Sequence, residues 1–202
     1  MAMVGKTLPH YPAGSLKILK GEPTDLPPNG HPAIIELWAT WCGPCRQVFP
    51  HLSRIAQKYR DRGLKVIGLS LDDASPGLQH FVHSQGDKMD YTVVMDPYGR
   101  AGQVLMTAAH VSGIPHAFVV DGQGTVQHHG HPADPSFEAA VRKVVESHKP
   151  AQPQQPPIPQ SKEALSEMPV RELKNMLQAR HISYIGVTEK PELVQLIWNK
   201  CH

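Results

Sequence analysis

The feature that most constrains the fold of this chain is a pair of cysteines, Cys42 and Cys45, between an apolar segment and an amphipathic one. Residues 33–38 read Ala-Ile-Ile-Glu-Leu-Trp, and their β-branched and aromatic side chains predict a buried strand. Residues 45–59 carry apolar side chains at helical spacing, and Gly63 supplies a stop. The sequence therefore predicts a C-x-x-C motif at the junction of a strand and a helix.

This placement gives the two cysteines different roles. Cys42 lies at the start of the predicted helix, where unpaired backbone N–H groups favour a thiolate, so it is the predicted nucleophile. Cys45 lies one turn later, close enough to resolve a mixed disulfide by forming an internal one. Gly43 and Pro44 permit the turn and start the helix.

A structural zinc site is the alternative interpretation of the motif. A tetrahedral zinc site needs four ligands, and the sequence has no second C-x-x-C and no Cys/His pair with finger spacing. The pattern therefore favours thiol–disulfide chemistry, with no metal.

The rest of the first 150 residues alternates strand and helix patterns. Strands are predicted at 65–71, 91–95, 116–121 and 125–129, and helices at 76–84, 100–109 and 137–148. Residues 122–124, Gly-Gln-Gly, indicate a hairpin between the last two strands, and 16–19 is a candidate edge element. This order predicts an α/β fold, a mixed sheet with helices on both faces.

Proline is concentrated after the α/β region. Of the 20 prolines in 202 residues, five lie within 150–160, together with four glutamines and no charge. Such a segment is expected to be extended polyproline II, about 30 Å long. Beyond it, apolar spacing predicts two amphipathic helices. We therefore predict a domain at 1–149, a linker at 150–160 and a small helical module at 161–202.

Charge and hydropathy exclude several classes of function. The formal net charge is only +2, which offers no global field for collecting a polyanion such as nucleic acid. The apolar runs are far shorter than the roughly 20 residues that cross a bilayer, and the first eleven residues lack an apolar signal segment. These features predict a cytoplasmic, reducing location without membrane association, where three cysteines are too few for a disulfide scaffold.

The motif Trp-Cys-Gly-Pro-Cys at 41–45 resembles the active site of the thioredoxin superfamily. Trp38, Pro50 and the dipeptide Ile114-Pro115 match the tryptophan, the helix-kinking proline and the cis-proline of that superfamily. Extra elements between 66 and 96 look more like its TlpA/ResA-like branch. The resemblance covers roughly 16–147 and implies a thioredoxin-like fold, disulfide-containing protein substrates, an unidentified electron donor, and no cofactor beyond the cysteine pair.

The resemblance also implies roles for neighbouring side chains. Glu36 lies where thioredoxins bury a carboxyl group beneath the cysteines; burial would raise its pKa and let it accept the proton of Cys45. A solvent-reaching glutamate at a strand edge is the alternative. The residues expected to shape the active site and receive substrate are Trp41, Gly43, Pro44, Ile114, Pro115 and His116.

Two groups of histidines need separate interpretations. His116 replaces a common threonine, and we expect either a positive charge near the Cys42 thiolate or an exposed polar side chain. His128, His129 and His131 suggest a metal cluster, but neighbours on a strand point to opposite faces, so only His129 and His131 could share an ion. Solvent-facing histidines are the favoured interpretation.

Residues 161–202 resemble a SAP-like helix–turn–helix, closest to the C-terminal domain of the neurotrophic factor family typified by mesencephalic astrocyte-derived neurotrophic factor. Tyr184 to Val187 occupy the place where those domains often carry a second C-x-x-C. SAP domains frequently bind DNA, but six basic residues against five acidic ones favour a protein partner over nucleic acid. Cys201 is expected to be a free thiol.

We therefore predict a thiol–disulfide oxidoreductase that reduces protein disulfides, with two other functions left open. A thiol peroxidase of the peroxiredoxin type would need a Pro-x-x-x-Thr-x-x-Cys arrangement, and Thr40 is too close to Cys42 to form it. A binding adaptor would use the thioredoxin-like fold for docking and the helical tail for a partner.

Overall fold

The computed structural model describes residues 3–148, 158–159, 161–180, 182–184, 187 and 189–201. Contacts divide the chain into two compact units, Met1–Pro150 and Ala151–His202. The predicted polyproline linker at 150–160 lies outside the described residues except for Ile158 and Pro159.

The described part of the first unit contains six strands and four α-helices. The strands are β1 (Lys17–Lys20), β2 (Ala33–Trp38), β3 (Lys65–Ser70), β4 (Thr92–Met95), β5 (His116–Val120) and β6 (Val126–Gly130). The helices are α1 (Gly43–Tyr59), α2 (Pro76–Ser84), α3 (Arg100–Ala108) and α4 (Pro135–Ser147). Short 3-10 turns cover Ala13–Ser15, Arg60–Arg62 and Gly86–Met89.

All six strands form one mixed sheet in the order β1-β4-β3-β2-β5-β6. The pairs β2/β3 and β3/β4 are parallel, whereas β1/β4, β2/β5 and β5/β6 are antiparallel. The predicted α/β architecture, a thioredoxin-like mixed sheet flanked by helices, is confirmed. Because β2 is an inner strand of the sheet, the cysteine loop that follows it begins at the end of an inner strand.

Both faces of β2 are covered, which explains its nearly continuous apolar sequence. Ile34 and Trp38 lie in one buried cluster with residues of α1, α2 and α4. Ile35 and Leu37 lie in a second cluster with residues of α3 and of the N-terminal segment. Because successive side chains point to opposite faces, Glu36 faces the first cluster, which also contains both cysteines.

The N-terminal segment closes the second face of the sheet. Its buried side chains Met3, Leu8, Leu16 and Leu26 belong to the second cluster. Isolated bridges from Thr7 to Thr125 and from Tyr11 to Leu26 hold the segment in place. The wrapping role of this proline-rich stretch depends on long-range contacts, which local sequence patterns do not show.

The second unit contains α5 (Lys162–Glu167), α6 (Val170–Ala179) and α7 (Lys190–Cys201). The two predicted amphipathic helices correspond to α6 and α7, whereas α5 is an addition that the sequence pattern missed. The hydroxyl of Ser161 caps α5 by accepting the backbone N–H of Ala164 at 3.2 Å. The buried cluster of this unit comprises Leu165, Leu173, Met176, Leu177, Leu193, Val194 and Ile197. Its resemblance to SAP domains stays a prediction.

Among the described residues, no helix combines the length and the apolar character that a bilayer crossing requires.

Candidate active site

Cys42 and Cys45 form a disulfide at the N-terminus of α1, with their Cα atoms 5.3 Å apart. Cys42 is the N-cap residue, and its Sγ accepts the backbone N–H of Cys45 at 3.2 Å. Such a donor stabilises a thiolate in the reduced state. Cys42 is 4% exposed and Cys45 is completely buried, so an approaching disulfide meets Cys42 first.

The exposed surface around Cys42 comes from three of the predicted active-site residues. The Trp41 side chain is 70% exposed, and Gly43 and Pro44 at the start of α1 are also exposed. Pro50 lies inside the same helix. The loop therefore presents an aromatic ring and two small residues to solvent directly beside a nearly buried sulfur.

The segment before β5, which contains Ile114 and Pro115, lies against Cys42. The carbonyl oxygen of Ile114 lies 3.7 Å from Cys42 Sγ, and the Ile114–Pro115 peptide bond is cis. Ile114 is half-buried and Pro115 is buried. The structure thus brings Ile114 and Pro115 together with Cys42, although they lie more than seventy residues away in sequence.

An unpredicted contact anchors the loop that precedes Cys42. The Asp72 carboxylate, just beyond β3, accepts hydrogen bonds from the backbone N–H of Thr40 at 2.8 Å and from its hydroxyl at 2.6 Å. Ser70 donates a third hydrogen bond to Asp72 at 2.8 Å. Arg46 of α1 binds the Thr40 carbonyl oxygen at 2.7 Å. Thr40 is thus held from both β3 and α1.

Glu36 lies in the middle of β2 and is completely buried, which rules out a solvent-reaching glutamate at a strand edge. Tyr91 donates a hydrogen bond from its hydroxyl to Glu36 Oε2 at 3.2 Å. Burial raises the pKa of Glu36 to about 8, although the Tyr91 hydrogen bond acts in the opposite direction. Glu36 Oε1 has no hydrogen-bond partner among the described residues. The site therefore holds a carboxyl group with a pKa of about 8, on the face of the sheet that carries the cysteines.

His116 does not supply the positive charge near Cys42 that the sequence suggested. It pairs in register with Leu37, so its ring lies on the face of the sheet opposite Glu36. Its Nε2 lies 3.0 Å from His129 Nδ1, and its ring contacts Phe118 edge-on. Burial and the neighbouring histidines lower its pKa to about 4, so the imidazole is neutral at pH 7.

The two histidines of β6, His128 and His129, lie in different surroundings. His129 pairs with His116 and stacks on Phe118, whereas the ring of His128 packs edge-on against Phe137 of α4. Within the part of the chain that the structure describes, no group of three or more potential ligands could hold a metal ion. The favoured expectation of solvent-facing histidines holds for His131, which is exposed, but not for His128 and His129, which are half-buried.

Comparison with known proteins places this site in a family. Residues 4–129 match the AhpC/TSA family. The chain belongs to this family. The match contains both cysteines, Glu36, Tyr91 and Pro115, whereas the second unit lies entirely outside it.

Relatives of this AhpC/TSA chain have names that describe thiol–disulfide exchange. Thiol-disulfide oxidoreductase ResA of Bacillus thuringiensis is 28% identical over 143 residues, 70% of this chain and 78% of the relative. Thiol:disulfide interchange protein DsbE of Haemophilus influenzae is 32% identical over 128 residues, 63% of this chain and 65% of the relative.

A solved structure agrees with this family assignment. The crystal structure from Chlorobium tepidum that carries the name thiol:disulfide interchange protein DsbE superimposes with a TM-score of 0.58 at 27% identity. The alignment covers 70% of this chain and 97% of that chain. The thioredoxin-like fold of the AhpC/TSA chain therefore matches nearly the whole of that solved structure.

Proposed function

We propose that this protein is a thiol–disulfide oxidoreductase that reduces disulfides of protein substrates through the Cys42–Cys45 pair. The observation that carries the proposal is the asymmetry of the pair at the N-terminus of α1. Cys42 is slightly exposed, next to the exposed Trp41, whereas Cys45 is completely buried on the same face of the sheet as Glu36. The relatives named for thiol–disulfide exchange support the same chemistry.

The reaction has two steps, and each conserves atoms and electrons. The Cys42 thiolate attacks one sulfur of the substrate disulfide, forming a mixed disulfide and releasing the first substrate thiolate. Cys45 then attacks Cys42 Sγ, which forms the internal disulfide and releases the second thiolate, while the Cys45 proton passes to the Glu36 carboxylate. The substrate gains two electrons, and the cysteine pair loses two.

Neighbouring groups support this division of work. The N–H of Cys45 stabilises the Cys42 thiolate, and the Ile114 carbonyl beside it marks where substrate backbone would lie. Trp41, Gly43 and Pro44 offer an exposed contact surface. No step requires a bound cofactor, because the two sulfurs carry the electrons.

Reduction of insulin disulfides tests the proposal, with Cys201→Ser as the parent so that only two thiols remain. We expect the parent to reduce insulin, Cys42→Ser to be inactive, and Cys45→Ser to accumulate a mixed disulfide visible on non-reducing gels. A parent without turnover would favour a binding adaptor. Turnover of peroxide without disulfide reduction would favour a thiol peroxidase.

The reductive direction is the second part of the proposal, since the Gly-Pro pair between the cysteines resembles reductive thioredoxins. A redox titration of the Cys42–Cys45 pair tests it. A midpoint near the value of about −270 mV for thioredoxin supports reduction, and one near about −120 mV, typical of a strong oxidant, overturns it.

We also propose that the second unit docks a protein partner. Its six basic and five acidic residues nearly cancel, whereas phosphate contacts need an excess of basic side chains. Titration of the full chain with labelled duplex DNA at several salt concentrations tests this preference. Weak binding at all salt concentrations agrees with it, whereas tight binding with a steep salt dependence overturns it.

A further inference from the structure

Tyr91 and Glu36 are the only buried tyrosine–carboxyl hydrogen-bonded pair among the described residues, and they lie 55 positions apart in sequence. Tyr91 immediately precedes β4, whereas Glu36 lies in β2, so the tyrosine ring must cross the intervening strand β3. Gly68 of β3 is the register partner of Glu36. The contact therefore depends on what β3 allows at that position.

Gly68 leaves the space through which the ring passes. A Cβ atom at Gly68 would lie 3.2 Å from Tyr91 Cε2 and 3.0 Å from Trp38 Nε1. Both distances are tighter than ordinary van der Waals contact. A side chain at this position would press on Trp38 and on the ring of Tyr91, whose hydroxyl binds Glu36.

The two oxygens of Glu36 have different surroundings. Oε2 accepts the Tyr91 hydroxyl, whereas Oε1 is buried and has no partner among the described residues. A tyrosine hydroxyl has one hydrogen to donate, so it can hold one carboxyl oxygen at a time. When Glu36 is protonated, the arrangement that keeps the Tyr91 hydrogen bond puts the proton on Oε1.

We infer that Tyr91 is a positioning residue for the resolving step: its hydroxyl holds Oε2 of Glu36 and leaves Oε1 as the oxygen that accepts the Cys45 proton. The inference rests on the proposed function, because it concerns the proton transfer of that reaction. It adds a residue that does not touch substrate and acts only through Glu36.

The ionisation of both partners fits this role. Burial and the neighbouring Glu36 raise the pKa of Tyr91 well above its ordinary value, so its hydroxyl remains a donor across the working pH range. Its hydrogen bond lowers the pKa of Glu36 against the larger effect of burial. Removal of the hydroxyl must therefore make the Glu36 carboxylate harder to form.

Other titratable groups do not provide this control. Within the described residues, the titratable side chains of the cluster that Glu36 faces include Cys42, which caps α1, and Cys45 and Tyr59 of α1. The register neighbours of Glu36 on β3 and β5 are Gly68 and Ala117, which carry no titratable group, and the Tyr91 hydrogen bond acts on the pKa of Glu36 beside burial. Tyr91 is thus the group whose hydrogen bond adjusts the ionisation of Glu36.

Rapid mixing of the reduced protein with an aromatic disulfide that releases a coloured thiolate tests the inference. Attack by Cys42 releases the first thiolate and resolution by Cys45 releases the second, so the two steps are observed separately. All variants carry Cys201→Ser. Tyr91→Phe removes only the hydroxyl, and Tyr59→Phe is the matched control, because Tyr59 is buried in the same cluster but its hydroxyl pairs with Lys58.

We expect Tyr91→Phe to move the pH midpoint of the second release upward by roughly one pH unit, because a charge-assisted hydrogen bond is lost. The rate of the first release and the profile of Tyr59→Phe should not change. In a Glu36→Gln background, Tyr91→Phe should have no further effect, since the two residues act as one unit.

An unchanged midpoint in folded Tyr91→Phe, or additional slowing in the Glu36→Gln background, would overturn the inference. If Tyr91→Phe does not fold, Gly68→Ala displaces the Tyr91 ring instead and should move the midpoint in the same direction. An unchanged midpoint in Gly68→Ala would also overturn the inference. Loss of both releases in the parent protein would instead contradict the proposed function. The two failures are therefore distinguishable.

Discussion

Asp72 binds Thr40 twice, through the backbone N–H and through the hydroxyl, and so fixes the loop two residues before Cys42 to the end of β3. Both contacts are partly buried, which makes their loss costly. The loop that carries the nucleophile therefore depends on a carboxylate more than thirty residues away in sequence.

Asp72→Ala should lower the free energy of unfolding by about 2 kcal/mol, because it leaves the Thr40 donors and the Ser70 hydroxyl without their acceptor. Urea unfolding measures the change. Asp73→Ala is the matched control, since Asp73 is exposed and should change stability little. Equal stability of the two variants would show that the Asp72 contacts do not hold the loop.

Stability should fall as pH rises through the range in which Glu36 ionises. The folded protein holds this proton up to a pKa of about 8, whereas the unfolded chain releases it near 4.5. Between those values the folded state binds more protons, so Glu36 makes unfolding easier by at most about 1.4 kcal/mol per pH unit.

Glu36→Gln should remove this pH dependence, which urea unfolding across the same range measures. Glu138→Gln is the control, because Glu138 pairs with Lys58 at the surface and has a lowered pKa. The control should keep the decline between pH 4.5 and 8 that we expect of the wild type. If the stability of Glu36→Gln declines with the same slope, a group other than Glu36 causes the pH dependence.

Replacement of His116 should leave the acidity of Cys42 unchanged at neutral pH. The His116 ring is neutral at pH 7, because its pKa is lowered to about 4, and it points to the opposite face of the sheet from Glu36. Ultraviolet absorbance of the thiolate in reduced protein measures the Cys42 pKa in wild type and in His116→Gln. A higher thiol pKa in the variant would restore the electrostatic role expected from the sequence.

The second unit should unfold without loss of disulfide reduction. Leu173 is completely buried between the helices of that unit, so Leu173→Ala should destabilise it by about 2–5 kcal/mol. We expect circular dichroism to show lost helix while insulin reduction stays at the wild-type rate. Leu52→Ala, in the core of the first unit, should instead reduce activity. Loss of reduction in Leu173→Ala would show that the cysteine site depends on the second unit.

Local sequence patterns are sufficient for much of the first unit. The apolar run of β2 and the spacing of α1 are short-range signals, and together they locate both cysteines. As predicted, Gly43 and Pro44 start α1, and the Cys42 side chain caps the helix. The resemblance to thioredoxins predicted that the Glu36 carboxyl group is buried, and in the structure this side chain is completely buried.

Contacts between distant segments account for what the sequence did not predict. Tyr91 was the first residue of a predicted strand, and its contact with Glu36 becomes visible only once β3 lies between them with glycine in register. Asp72 was similarly an ordinary residue after a strand. The orientation of His116 follows from strand register, which no local pattern defines in advance.

Glu36, whose Oε1 has no hydrogen-bond partner among the described residues, makes stability and turnover compete at a single position. A buried carboxyl with one unsatisfied oxygen weakens the fold, and an apolar side chain of similar size would pack there without that penalty. Laboratory evolution for heat resistance alone would therefore select against Glu36 and yield a hardier protein that resolves its mixed disulfides slowly. A library built on this scaffold needs a screen for thiol release alongside the one for melting temperature.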